Sequence, residues 1–150
     1  MSNYYAAVGS DGSDLVVWGA HLTERDALTD ADRWLSELPE DQRDTDLDVY
    51  RISSRQYEAI RSGTVHWASV TDLAVEETVA ALRAAGYDCT WDQPDREKYP
   101  GTLVPIVVWT SGSEYHRDTI RAIAGKFRCR IYDYSSQLVR VVFDDEPVNT

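Results

Sequence analysis

The sequence is short of cysteine, lysine and long apolar runs, and each shortage removes a class of protein. Cys89 and Cys129 are the only cysteines. They form no Cys-x-x-Cys pair and are too few for a disulfide framework, so buried free thiols are expected and no redox or metal role. No run of about 18 apolar residues occurs, so no transmembrane helix is expected. The opening, "MSNYYAAVGSDG", lacks a basic region followed by an apolar stretch. No secretory signal is therefore expected, and the chain reads as soluble and cytoplasmic. Lysine supplies only two of the 15 bases, Lys98 and Lys126, against 26 acids, for a net charge of −11.

That charge is uneven. Residues 1–50 hold 12 acids and three bases, net −9, while the other hundred hold 14 and 12, net −2. Such a field repels nucleic acid and attracts a basic partner. The same acidity also fits a salt-rich host, where it serves solubility alone.

What is present is enough for a core. With 150 residues, 43% of them hydrophobic, and five Trp, the chain suffices for one domain. "NYYAAVG" and "DLVVWGA" read as strands around the turn "SDGSD", whose Asp-Gly is a hairpin signal. Thr23 caps a helix in which Leu28, Ala31, Leu35 and Leu38 are expected to face the core, with Asp26, Asp30, Arg33 and Glu37 opposite. "LDVYRIS" is a strand and "SRQYEAIRSG" a helix ending at Gly63. "TVHWASV" reads as a connector or short strand, after which Asp72 opens a helix with Val75, Val79 and Leu82 inward and Gly86 as its stop. "YDCTW" and "LVPIVVW" are strands separated by the polar loop "DQPDREKYPG". A helix from about Ser113 to Lys126 puts His116, Ile120, Ile123 and Phe127 on one face, and "CRIYDY" and "LVRVVF" close the chain as an antiparallel pair. The expected fold is α+β, with about seven strands in antiparallel or mixed sheet and four helices, and two related β-α-β-containing halves as an alternative organisation. It forms a single domain over 1–150, divisible into subdomains 1–63 (β-β-α-β-α) and 64–150 (α-β-β-α-β-β).

"LVVWGAHLTERD" and "IVVWTSGSEYHRD" share a strand ending in Val-Val-Trp, a short connection and a helix start. The residues after each Trp differ where chemistry would need them alike. The likeness is therefore folding grammar rather than a doubled active site.

Three groups of residues are candidates for function. The first is an acidic band: Asp26, Asp30, Glu37, Glu40, Asp41, Asp44, Asp46 and Asp48. A row of carboxylates imitates nucleic-acid phosphates or grips a basic surface; the competing reading is a solvated helix face and loop. "DTDLD" lacks the Gly and closing Glu of a calcium loop. The second group is aromatic: Trp91, Tyr99, Tyr132 and Tyr134 stand in polar settings and make interface anchors. Strand alternation sends Ile131 and Asp133 one way and both tyrosines the other. The third is an anion site on the strand–helix loop, with Thr110, Ser111 and Ser113 supplying hydroxyls and Arg117 and Arg121 the counter-charge. This loop lacks the Gly-Lys-Ser/Thr ending of a phosphate loop.

No catalytic residue, metal site or cofactor is expected. His21, His66 and His116 have no metal-binding spacing, and no Gly-x-Ser-x-Gly elbow occurs. His21-Leu22-Thr23 has the His-x-Thr form of two-histidine phosphoesterases, but neither other histidine supplies the second copy those enzymes need. The function expected is therefore non-enzymatic: an acidic inhibitor that docks on a basic protein or nucleic-acid-processing complex, with no membrane and no direct nucleic-acid contact. A phage-encoded blocker of a host nuclease or defence complex, and an immunity protein for a basic toxin, both match the size, charge and lack of motif. Two alternatives stand beside it: an anion or nucleotide sensor or small enzyme using Thr110–Ser113, and a structural protein whose acidity serves solubility.

Overall fold

The computed structural model describes residues 3–11, 14–43, 46–111 and 113–148. Seven strands form two antiparallel sheets, with four α-helices, an α+β fold. The chain divides into two compact units: Met1–Val70 with Asp145–Thr150, and Thr71–Asp144.

In the first unit, β1 (Tyr4–Ser10) and β2 (Leu15–His21) form a hairpin. Helix α1 (Glu24–Leu35) follows, then a 3₁₀ turn at Glu40–Gln42, β3 (Asp48–Ile52) and α2 (Ser54–Arg61). The sheet order is β2-β1-β3, so β2 and β3 run parallel to each other with antiparallel β1 between them. Thr23 caps α1, its side chain accepting from the Asp26 N–H at 3.0 Å. Ser53 and Gln56 cap α2 reciprocally, satisfying two of the donors that a helix start leaves orphaned. Val17 N–H donates to the Val65 carbonyl at 2.7 Å, and Val148 N–H donates to the Val49 carbonyl at 2.6 Å. Both edges of this sheet are thereby partly covered, which blunts edge-to-edge pairing with other chains.

The α1–sheet contact is close because its residues are small. Ala7, Ala27 and Ala31 are fully buried, with Tyr5, Trp18 and Leu47 packed around them. A Cβ on Gly19 would lie 2.4 Å from the Ala27 carbonyl oxygen and 2.5 Å from the Ala31 nitrogen. Only glycine admits the helix backbone at that distance. The inward face of α1 is thus Ala27, Ala31 and Leu35, while Leu28 is exposed and Leu38 half-buried. Of the expected core positions Ala31 and Leu35 are buried, Ala27 takes the place of Leu28, and Leu38 is only half-buried.

Helix α3 (Trp67–Ala84) begins five residues earlier than the sequence pattern predicts. Its first turn comes from the stretch read as a connector, and His66 bridges Val16. Asp72 is therefore an internal helix residue, not a cap. It is buried and paired with Arg96.

The second unit holds the rest of α3, then β4 (Asp88–Thr90), β5 (Ile106–Trp109), α4 (Glu114–Gly125), β6 (Cys129–Tyr134) and β7 (Leu138–Phe143), with sheet order β4-β5-β7-β6. Val75, Val79, Leu82, Ile106, Val108, Ile120, Val139 and Val141 are buried. Pro105 sets the start of β5 at the next residue, as its missing N–H requires. Here β5 and β6 run parallel with antiparallel β7 between them.

Both units therefore contain a strand–helix–strand whose strands are split by an antiparallel third. In the first unit the inserted strand precedes the motif; in the second it follows. The Val-Val-Trp likeness is a shared arrangement in a different chain order. Among the described residues, no helix is long and apolar enough to cross a membrane.

Candidate functional site

The acidic band lies in the first unit, which holds 15 acids and six bases against 11 and nine in the second. Its members do not form one uniform row. Asp30 is half-buried and accepts the Ala20 N–H at 3.3 Å, so its carboxylate ties α1 to β2. Asp26 lies 3.8 Å from His21, a charge pair only when that imidazole is protonated. Glu37, Glu40 and Asp41 are exposed at the end of α1 and in the 3₁₀ turn that follows. Asp46 and Asp48 are exposed around the start of β3. Burial raises the pKa of Tyr50, and the charges of Asp48 and Asp145 add to it. Asp44 lies outside the described residues.

One residue of this surface escapes sequence reasoning. Trp34, in the last turn of α1, is 56% exposed. It lies one helical turn after Asp30 and three residues before Glu37, so it shares their flank of the helix. The helical spacing read from the sequence assigns Trp34 to neither the apolar stripe nor the charged face. The tight Gly19–Ala27–Ala31 approach keeps the stripe narrow, and that spacing of small residues is the signal that Trp34 stays outside.

The aromatic candidates take separate roles. Trp91 is half-buried and donates its indole N–H to the Val104 carbonyl at 3.0 Å, bracing the long 91–105 loop. Tyr99 is exposed, with the Lys98 ammonium 5.4 Å from its ring centre. Tyr132 and Tyr134 are exposed, and the strand does not keep the alternation the sequence predicts. A bulge between Ile131 and Asp133 makes Ile131 pair with Val141, Asp133 with Arg140 and Tyr134 with Val139. Cross-strand partners point the same way, so Ile131 and Tyr134 share one face and Asp133 takes the other. Arg117 of α4 lies over the Tyr134 ring at 4.2 Å.

The strand–helix loop opens on a cleft of about 630 Å³ in the second unit. Its walls are the turn Ala85-Gly86-Tyr87, Asp88 of β4, Trp109–Ser111 at the end of β5, and Tyr115, His116 and Thr119 of α4. The α3 terminus builds one wall. Gly86 adopts φ +92°, its N–H donates to Arg83 and the Tyr87 N–H donates to Leu82, a Schellman closure that points the chain into β4. Tyr87 Oη and His116 Nδ1 are 3.2 Å apart, and the rings meet edge-on at 5.7 Å.

Thr110 and Ser111 thus line the cleft. Ser113 caps α4, accepting the Tyr115 N–H at 3.2 Å. Arg117 and Arg121 are not among the lining residues. Arg117 lies 3.6 Å from Glu114, and Arg121 donates to Asp118 at 2.8 Å. The Arg117 Nε finds no hydrogen-bond partner among the described residues.

Cys89 and Cys129 are buried free thiols. Burial raises both pKa values, that of Cys129 to about 11. Such thiols are protonated and inert at neutral pH. Among the described residues, no group of three or more His, Cys, Asp or Glu is placed to hold a metal ion. The chain matches no protein-family model, no curated protein and no solved structure.

Proposed function

We propose that the protein works by binding, docking the acidic flank of α1 on a basic macromolecule and occluding the surface it covers. The observation that carries this reading is Trp34, a half-exposed indole among the carboxylates of the most acidic part of the chain. Exposed carboxylates at Glu37, Glu40 and Asp41 steer a basic partner, while an indole supplies the apolar area that holds it. An acidity that served solubility alone has no use for an exposed indole. The partner is a basic protein, or the nucleic-acid-binding face of a larger complex, in which the carboxylates stand where phosphates would.

The test is affinity capture with the full chain, beside Trp34→Ala and the triple variant Glu37→Gln/Glu40→Gln/Asp41→Asn. A basic partner is expected that both variants lose or bind at least about tenfold more weakly, a typical hot-spot effect, with unchanged circular dichroism. A partner held equally by all three proteins, or none at low salt, removes the reading.

A further inference from the structure

We infer that the loop before β5 is a substrate-like inhibitory loop, which presents Leu103 to the apolar primary pocket of a serine endopeptidase. This does not rest on the α1 reading, since the two surfaces belong to different units. Residues 91–105 join β4 to β5. A connection of that length without secondary structure, when it is held in place, is commonly a binding loop. This one is held. Arg96 is clamped by both oxygens of the buried Asp72. From there its Nη1 donates to the Thr102 carbonyl at 2.6 Å, while the Trp91 indole donates to the Val104 carbonyl at 3.0 Å. Pro100 and Gly101, the latter at φ +76°, form the middle of a turn that the Thr102 N–H closes on the Tyr99 carbonyl at 3.5 Å. Pro105 ends the stretch and favours extended backbone at Val104.

Leu103 stands between the two anchored carbonyls. In extended chain the direction of successive residues alternates, so donors that hold 102 and 104 from within turn the Leu103 carbonyl the other way. Its side chain is 47% exposed. Among the described residues, neither its N–H nor its carbonyl takes part in a hydrogen bond. A segment that joins a sheet edge needs several free main-chain groups in a row, and here the carbonyls on either side are taken. A serine endopeptidase needs the groups of one residue: a side chain for its primary pocket and a carbonyl for its oxyanion hole. Attack there forms an ester between the protease serine and the Leu103 carbonyl carbon and breaks the Leu103–Val104 amide. The serine proton passes through the protease histidine to the Val104 nitrogen. Arg96 and Trp91 keep Thr102 and Val104 in place, so the new amine stays beside the ester. The reverse step then re-forms the amide, returns the proton and frees the serine. The same bracing removes the ordering cost that a flexible substrate meets on binding.

The test is inhibition of chymotrypsin and of trypsin by the full chain, read with chromogenic peptide substrates, together with the integrity of the chain over the same incubation. The wild type is expected to inhibit chymotrypsin competitively at about micromolar concentration or below, to spare trypsin, and to remain uncut. Leu103→Gly should weaken inhibition about a hundredfold, the effect of losing a central anchor. Leu103→Lys should move inhibition from chymotrypsin to trypsin, whose primary pocket holds a carboxylate. Both variants change an exposed loop residue, so their circular dichroism should match the wild type. No inhibition of chymotrypsin at about 0.1 mM, rapid cutting of the wild type after Leu103, inhibition indifferent to Leu103→Gly, or trypsin untouched by Leu103→Lys would each overturn the inference.

Discussion

The guanidinium of Arg96 lies across both carboxylate oxygens of Asp72, with Nε–Oδ2 at 2.8 Å and Nη2–Oδ1 at 2.5 Å. Arg96 also donates to the Thr102 carbonyl from Nη1. A helix carboxylate thereby anchors the long loop before β5, with little exposure of either side chain. Asp72→Ala leaves a guanidinium with little access to water and no carboxylate. It should cost about 3 kcal/mol in urea unfolding, the size seen when one partner of a buried pair is removed. It should also open the loop to proteolysis between residues 91 and 105. An effect below about 1 kcal/mol would class the pair with exposed ones.

Two glycine substitutions should have opposite signs. Gly19→Ala drives a methyl into the backbone of α1, so α1 must lift from the sheet, at a cost of at least about 2 kcal/mol. Gly125, at the end of α4, has open space around its Cβ position and no positive φ. Gly125→Ala should be neutral or stabilise by up to about 1 kcal/mol. Thermal midpoints of the two variants against wild type check the pair.

The alkaline limit of stability follows from the thiols. The Cys129 pKa rises in the fold from 9.0 to about 11, chiefly through burial. A raised acid pKa means that the folded state holds the proton more tightly. The stabilisation is whole below pH 9 and is lost as pH rises through about 11. Cys89 and Tyr50 move in the same direction and add to the loss. Urea unfolding between pH 8 and about 11 should show stability falling with pH. Cys129→Ala should remove up to about one proton from that slope. Neither thiol should react with a disulfide reagent at neutral pH until the chain unfolds.

The element order was legible because strand alternation, helix spacing and the Gly63 and Gly86 stops agree locally. Three features were not. The start of α3 was hidden because no Ser, Thr, Asp or Asn directly precedes Trp67 in the sequence, and Asp72 in front of an apolar run mimics a cap. The β6 bulge cannot be read from "CRIYDY", since it depends on how β7 pairs. Trp34 was masked by its place beside the helix stripe, where only the depth set by Gly19 decides which residues fit. Of the candidate sites, the strand–helix loop was legible, but its aromatic walls were not. Tyr87 meets His116 through tertiary structure alone.

The central claim is that the α1 flank draws in a basic partner by charge and holds it with Trp34. The direct measurement is the association rate of the captured partner as salt is raised, for wild type and the Glu37→Gln/Glu40→Gln/Asp41→Asn variant. Electrostatic steering predicts a wild-type rate that falls by about tenfold or more from low to physiological ionic strength, and a clearly flatter fall for the variant. A rate indifferent to salt, or one that falls equally for both proteins, would contradict the account.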